Sequence, residues 1–182
     1  FILPPDFLMG SATSGLQIEG GDTNNSWYAW CNTPGHIKDG SNCIRAADHW
    51  NRYAEDIAIM RELNHDIYRM GIEWSRIEPK KGKFNEAAIE HNRNEIELLL
   101  KNSIKPLVTL HHFSNPLWLE ESGDWANPGV VEHFTAYTRY VVNNLGDLVS
   151  DWVTINEPNV YLTYGYAYGI WPPGKKDFSL LF

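Results

Sequence analysis

The chain has 182 residues, with 23 acidic against 15 basic side chains and seven histidines, for a formal net charge of −8. That balance, and the lack of any Lys/Arg run, excludes a nucleic-acid or anionic-membrane partner, since both need a basic patch to displace counterions. At 43% hydrophobic and 21% charged residues the composition is that of a globular protein, and no stretch approaches the roughly 18 consecutive apolar residues of a membrane span.

In chain order, the first apolar β-type run is Phe7–Ser11. The residues Phe1 to Gly10 lack the basic region, long apolar core and cleavage site of a secretory signal. Cys31 and Cys43 are too few for a disulfide framework, although both lie in a Gly/Asn/Asp-rich stretch where a single bridge is sterically conceivable. A reducing, cytoplasmic location is therefore the milder expectation. A helix follows over about 48–64, with Trp50, Tyr53, Ile57, Met60 and Leu63 at helical spacing and Asp48 placed to cap it. The second β-type run is Asp66–Ile72. A second helix starts at the cap Asn85 and carries Ile89, Ile96, Leu99 and Leu100. The third run is Lys105–Leu110. The third helix has Asn127 as cap, Pro128 in the first position, a stripe of Val131, Phe134, Thr138, Val141 and Leu145, and Gly146 at its end. The fourth run is Asp151–Ile155.

Strands that alternate with helices, without a two-residue hairpin signal, predict right-handed βαβ crossovers and a parallel sheet. A doubly wound dinucleotide-binding sheet usually carries G-x-G-x-x-G after its first strand, whereas Gly10-Ser-Ala-Thr-Ser-Gly15 has the wrong spacing, and no phosphate-binding loop with Gly-Lys-Ser/Thr occurs. The loops after the strands are rich in Gln, Glu, His, Asn and Trp, which is where an α/β barrel keeps its active site. The expected fold is therefore the (β/α)8 TIM-barrel class. Four βα units fill 1–182 as a single domain, where a closed barrel needs eight units and about 250 residues. The sequence reads as a half-barrel. The unclosed sheet would expose two edges and an apolar face, which predicts a complementary half of the barrel, on the same or a separate chain, or self-association.

The residues with chemical potential lie at strand ends. Thr154-Ile155-Asn156-Glu157-Pro158 delivers an amide and a carboxylate to a rim. A Glu157 desolvated by Trp152, Tyr161, Tyr164 and Trp171 would have a raised pKa and act as a general acid; the alternative is a solvated glutamate closing a strand. His111 and His112 follow the third strand, and alternation turns one of them away from the axis, which disfavours a metal-binding pair. His111 suits a structural role and His112 a contact to a ligand hydroxyl. Gln17 and Glu19 share a direction if the first loop is extended, and the Gln17 amide suits a polyol. Arg69, inside an apolar run, demands a carboxylate partner, either from a ligand site or from Glu73. Eight Trp, nine Tyr and seven Phe supply flat faces of the kind that stack on sugars.

Four ordered motifs, Phe7-Leu-Met-Gly-Ser-Ala-Thr-Ser-Gly-Leu-Gln-Ile-Glu-Gly20, Tyr68-Arg-Met-Gly-Ile-Glu-Trp-Ser-Arg-Ile77, Thr109-Leu-His-His-Phe113 and Thr154-Ile-Asn-Glu-Pro158, strongly resemble glycoside hydrolase family 1, the β-glucosidase family, over essentially the whole chain. The resemblance implies an α/β-barrel enzyme that hydrolyses β-linked glucosides, galactosides or their 6-phosphates with retention. It makes Glu157 the acid/base and gives Asn156 the sugar's 2-hydroxyl. Gln17 and His112 would hold the 3- and 4-hydroxyl side, and Arg69 would pair with the nucleophile. Phe113 stands where many members carry Trp, and Trp171 in Gly169-Ile-Trp-Pro-Pro-Gly174 would wall the aglycone. The family's nucleophile is a glutamate in a Thr-Glu-Asn-Gly-like motif on a later strand, and residues 1–182 contain none. Neither metal nor organic cofactor is implied, because two carboxyl groups and water suffice for this chemistry.

Overall fold

The computed structural model describes residues 2–181. Four strands, β1 (Gly10–Ala12), β2 (Ile67–Gly71), β3 (Lys105–His111) and β4 (Asp151–Ile155), form one parallel sheet in the order β1-β2-β3-β4. The sequential order requires a crossover between each pair. Eight α-helices supply these and decorate the loops: α1 (Gly15–Ile18), α2 (Ser26–Cys31), α3 (His49–Glu62), α4 (Trp74–Ile77), α5 (Glu86–Lys101), α6 (Leu117–Glu121), α7 (Val130–Leu145) and α8 (Pro158–Tyr161). The long ones, α3, α5 and α7, are the three read from periodicity.

Alternation along the strands explains the layers. Tyr68 and Met70 of β2 and Val108 and Leu110 of β3 are buried against Ile57 and Met60 of α3, Ile89, Ile96 and Leu99 of α5, and Tyr137, Val141 and Leu145 of α7. Arg69, between Tyr68 and Met70, points to the opposite face. Aromatic packing ties the helices together: Trp74 stacks on Tyr137 with ring centroids 4.9 Å apart, and Phe84 on Tyr140 at 4.1 Å. The Tyr137 hydroxyl donates to the carbonyls of Ile72 and Leu110, both at 3.0 Å, so one side chain of α7 fixes the ends of two neighbouring strands.

Several local expectations shift. The first strand lies at Gly10–Ala12, so Phe7, Leu8 and Met9 are exposed approach to it. Asn85 caps α5 by accepting from the amides of Ala87 and Ala88. Asp48 does not cap α3: its backbone is left-handed, and its Oδ1 accepts from Asn51 Nδ2 at 2.7 Å instead. Helix α7 starts at Val130, with the Asn127 side chain bonded to Gly129 N. The displaced start buries Val130 and leaves Val131 67% exposed. Leu63 and Leu100, placed on core stripes by spacing, are also exposed because they fall at helix ends.

Candidate active site

The site is built at the ends of β2, β3 and β4. The Arg69 guanidinium donates through Nη2 to Asn156 Oδ1 at 2.9 Å, and Asn156 Nδ2 lies 3.1 Å from His112 Nε2 and 3.5 Å from Glu157 Oε2. Asn156 is buried and is held in place by its own backbone, which donates to the His111 carbonyl at 2.9 Å and so extends the β3–β4 pairing by one bond. Burial, then the Arg69 charge, lowers the His112 pKa to about 4. The ring is therefore neutral, and its Nε2 accepts from the Asn156 amide. Two buried atoms of this string, Arg69 Nε and His112 Nδ1, have no partner among the described residues. Both are N–H donors, Nδ1 because Nε2 accepts, and buried donors are costly to leave unmet; they mark where an acceptor from a ligand or a further segment belongs.

Glu157 follows Asn156 with φ 41° and ψ 58°, a left-handed conformation that a glutamate adopts only under external constraint. Pro158 takes the first position of α8 directly after it. Glu157 is exposed. The expected desolvating aromatics are committed elsewhere. Trp152 packs against the core, and Tyr161 is buried against His111, Phe113 and Tyr166. Tyr164 and Trp171 pair with each other at 4.9 Å. Within this chain those four rings do not enclose Glu157.

A cavity of about 340 Å³ lies beside the string, lined by Gln17, Trp27, Asn42, Cys43, His112, Phe113 and Trp171 among others. Trp27, Phe113 and Trp171 form a continuous aromatic wall, with Trp171 5.5 Å from Trp27 and 5.3 Å from Phe113. The Trp27 indole N–H donates to the Phe113 carbonyl at 3.0 Å, which fixes the wall to the left-handed residue after His112. Trp171 is reached through a single-turn π-helix, Leu162–Ala167, whose wider winding presents Tyr164 to it. Gln17 faces the cavity with its Oε1 accepting from Ser14 Oγ at 2.8 Å, leaving its amide N–H groups for a ligand.

The first loop is helical instead of extended, and so Gln17 and Glu19 diverge: Gln17 is exposed and Glu19 is 5% exposed. Glu19 accepts from Arg76 Nε at 2.6 Å. Glu73 does not reach Arg69, because β2 ends at Gly71; it turns back and accepts from the Leu16 amide at 3.0 Å, holding α1 in place. Burial raises both carboxyls, Glu73 to about 8, while Arg76 pulls Glu19 back toward its charged form. Arg76 favours the charged form of Glu19 and not of Glu73, so of the two carboxyls Glu73 keeps its proton to the higher pH. His111 is structural: burial lowers its pKa to about 4, and its Nε2 donates to Asn115 Oδ1 at 2.8 Å.

The structure therefore brings Arg69, His112, Asn156 and Glu157 into one string, and Gln17, His112 and Trp171 onto one cavity. Sequence reasoning missed Trp27 and the 42–46 wall. Trp27 carried a signal in the Trp27/Trp30 spacing on a capped helix; the wall, in a Gly/Asn/Asp-rich loop, carried none. Among the described residues, no three His, Cys, Asp or Glu side chains converge as a metal site.

Comparison with known proteins identifies the family and the fold. The family model for glycosyl hydrolase family 1 matches residues 2–182. The chain is 45% identical over 179 residues to coniferin β-glucosidase of Pinus contorta, covering 94% of this chain and 35% of that protein. It is 42% identical over 180 residues to β-glucosidase A of Acetivibrio thermocellus, covering 96% and 40%. The solved structure of the family 1 β-glucosidase from Thermotoga maritima superposes with a TM-score of 0.96 at 37% identity over 99% of this chain and 42% of that one. The chain thus spans well under half the length of these relatives, and its four-stranded sheet corresponds to a half-barrel of their TIM-barrel fold. By sequence and by fold, the chain belongs to glycosyl hydrolase family 1.

Proposed function

We propose that residues 1–182 act as a single domain, the N-terminal part of a retaining β-glycosidase that cleaves β-linked glucosides or galactosides. The observation that carries this reading is the Arg69–Asn156–His112 string with Glu157 at its end, beside an aromatic-walled cavity. Relatives solved with deoxynojirimycin and with cyclophellitol support a sugar-shaped site.

In this reading Glu157 protonates the departing glycosidic oxygen and, once the glycosyl-enzyme has formed, draws the proton from the attacking water. A second carboxylate about 5–5.5 Å away attacks the anomeric carbon. That nucleophile comes from outside residues 1–182, and Arg69 orients it through the guanidinium edge left free by Asn156. Its negative charge disfavours a second charge on Glu157, and the enclosure completed by the rest of the barrel supplies the desolvation that the exposed Glu157 lacks here. Asn156 holds the 2-hydroxyl, Gln17 and His112 the opposite side of the ring, and Trp171 the aglycone. The partner is the complementary part of the barrel: β1 and β4 each have one strand neighbour, and these free edges are where further strands add.

The test compares an alkyl β-glucoside with an aryl β-glucoside bearing a good leaving group. Glu157→Gln is expected to abolish turnover of the first and to spare the glycosylation step on the second, since an activated leaving group departs without an acid. Undiminished hydrolysis of the alkyl glucoside by Glu157→Gln would remove Glu157 from the mechanism. Residues 1–182 alone are expected to show negligible turnover and to self-associate on size exclusion.

A further inference from the structure

The left-handed backbone of Glu157 is held by a closed ring of hydrogen bonds. On one side the Asn156 N–H donates to the His111 carbonyl at 2.9 Å, and the His111 ring donates through Nε2 to Asn115 Oδ1 at 2.8 Å. On the other side the N–H groups of Val160 and Tyr161 donate to the Glu157 carbonyl at 3.0 and 3.1 Å. The Tyr161 hydroxyl closes the ring by accepting from Asn115 Nδ2 at 2.8 Å. His111, Asn115, Asn156 and Tyr161 are buried; Glu157, the member with an acid to offer, is exposed.

Asn115 is the fixed point of that ring. Its Oδ1 also accepts from the Trp125 indole at 2.9 Å, and its Nδ2 also donates to Glu120 Oε1 at 2.7 Å. An indole N–H only donates and a carboxylate only accepts, so these two neighbours dictate which end of the amide is which. The Asn115 backbone is fixed as well: its N–H donates to Ser26 Oγ at 3.1 Å, and its carbonyl accepts from Ser26 N at 2.9 Å. The amide cannot turn without breaking all four of its side-chain bonds. Helix α8, by contrast, has four residues, too few to hold its own position. The Tyr161 ring packs on His111 and Phe113, with centroids 5.5 and 5.9 Å away, and its hydroxyl supplies the directional bond.

We propose that Tyr161, held by Asn115, is a positioning residue for Glu157: the Tyr161–Asn115 bond sets where the acid carboxyl stands relative to the Arg69–Asn156–His112 string. This inference rests on the reading of Glu157 as the acid. Released from Asn115, α8 is free to shift, and the Glu157 backbone relaxes from its left-handed conformation. The carboxyl then no longer meets the glycosidic oxygen. The string is spared, because Asn156 stays tied to Arg69 by its side chain and to His111 by its backbone. The loss therefore falls on proton donation and not on holding the glycone.

The experiment uses the full-length protein and the variant Tyr161→Phe, which keeps the ring and removes the hydroxyl. Both are assayed on an alkyl β-glucoside and on an aryl β-glucoside with a good leaving group, beside Glu157→Gln. In Tyr161→Phe, kcat for the alkyl glucoside should fall about tenfold or more while its KM stays within about threefold, and kcat/KM for the aryl glucoside should also stay within about threefold. An equal loss on both substrates would make the role structural and overturn the proposal, as would an unchanged alkyl kcat. If Glu157→Gln separates the two substrates and Tyr161→Phe does not, this inference alone falls. If Glu157→Gln treats them alike, the acid reading falls and this one with it. Asn115→Ala cuts the same bond from its other end, so the alkyl-to-aryl ratio should drop in the same direction. The double variant should then lower that ratio by no more than about a further threefold; losses that multiply overturn the pairing.

Discussion

Arg69 and Asn156, 87 positions apart in sequence, meet through an Nη2 to Oδ1 bond of 2.9 Å that joins β2 to the residue after β4. The bond fixes which way the Asn156 amide faces, because Oδ1 must accept from the guanidinium and Nδ2 is left to donate to His112. A neutral His112 is the only form that can accept it, and burial with the Arg69 charge keeps it neutral.

Asn156→Asp tests that orientation. The carboxylate still pairs with Arg69 but cannot donate to His112, and it favours a protonated ring. The His112 pKa, followed by NMR, should rise from about 4 by about one unit or more. On the proposed function, affinity of the full-length protein for a glycone analogue should fall about tenfold or more, the loss of one or two hydrogen bonds. An unchanged His112 titration would mean that the amide does not control the ring.

Glu73→Gln should change how stability depends on pH. The Glu73 pKa in the folded protein is about 8, above its unfolded value near 4.3. The folded state therefore binds the extra proton, and this stabilisation is fully present below about pH 4.3 and is lost as pH rises through 8. Glutamine cannot titrate. Between about pH 5 and 8, urea-unfolding free energies of the variant should fall less steeply with pH, by up to about 1.4 kcal/mol per pH unit. Parallel profiles would place the proton elsewhere, on Glu19 first of all.

Gly15→Ala addresses the support of Gln17. A β-carbon at Gly15 would meet Glu19 Oε1 at 2.5 Å and Glu73 Cγ at 2.6 Å. These carboxylates are packed in and cannot swing away, so α1 must shift. Unfolding should become easier by about 1–3 kcal/mol, and glycone affinity should weaken, since Gln17 moves with α1. A variant as stable as the parent would show that the first loop has slack.

Tyr137→Phe removes a buried hydroxyl and leaves the Ile72 and Leu110 carbonyls without their donor. The expected cost is about 1–3 kcal/mol in chemical denaturation, with the Trp74 stacking retained. Because both carbonyls belong to strand ends, hydrogen exchange should accelerate at the ends of β2 and β3 before it does so in α3.

What was legible in the sequence depended on how local the cause was. Helices α3, α5 and α7 showed in their apolar stripes because 3.6-residue periodicity is written directly into residue order. The strand after Ser150 showed as a short apolar β-type run, and Asn85 announced its cap by type and place. Asp48 did not, because its left-handed backbone is imposed by the loop that delivers it. Arg69 could be read as requiring a partner, yet that partner proved to be an amide 87 residues away instead of nearby Glu73. The left-handed turn that exposes Glu157 likewise follows from Asn156 being tied to the His111 carbonyl, a constraint between strands that residue order does not reveal.

The sheet order β1-β2-β3-β4 also bears on how the chain is made. Each of β2, β3 and β4 pairs with the strand synthesised before it, and the helices that cover β2 and β3 are encoded just before, between and just after them. During translation each βα unit can dock on its predecessor as it leaves the ribosome, without waiting for distant sequence. The buried core of α3, α5 and α7 can then be in place as soon as α7 has docked, and β4 is the last of the four strands to join it.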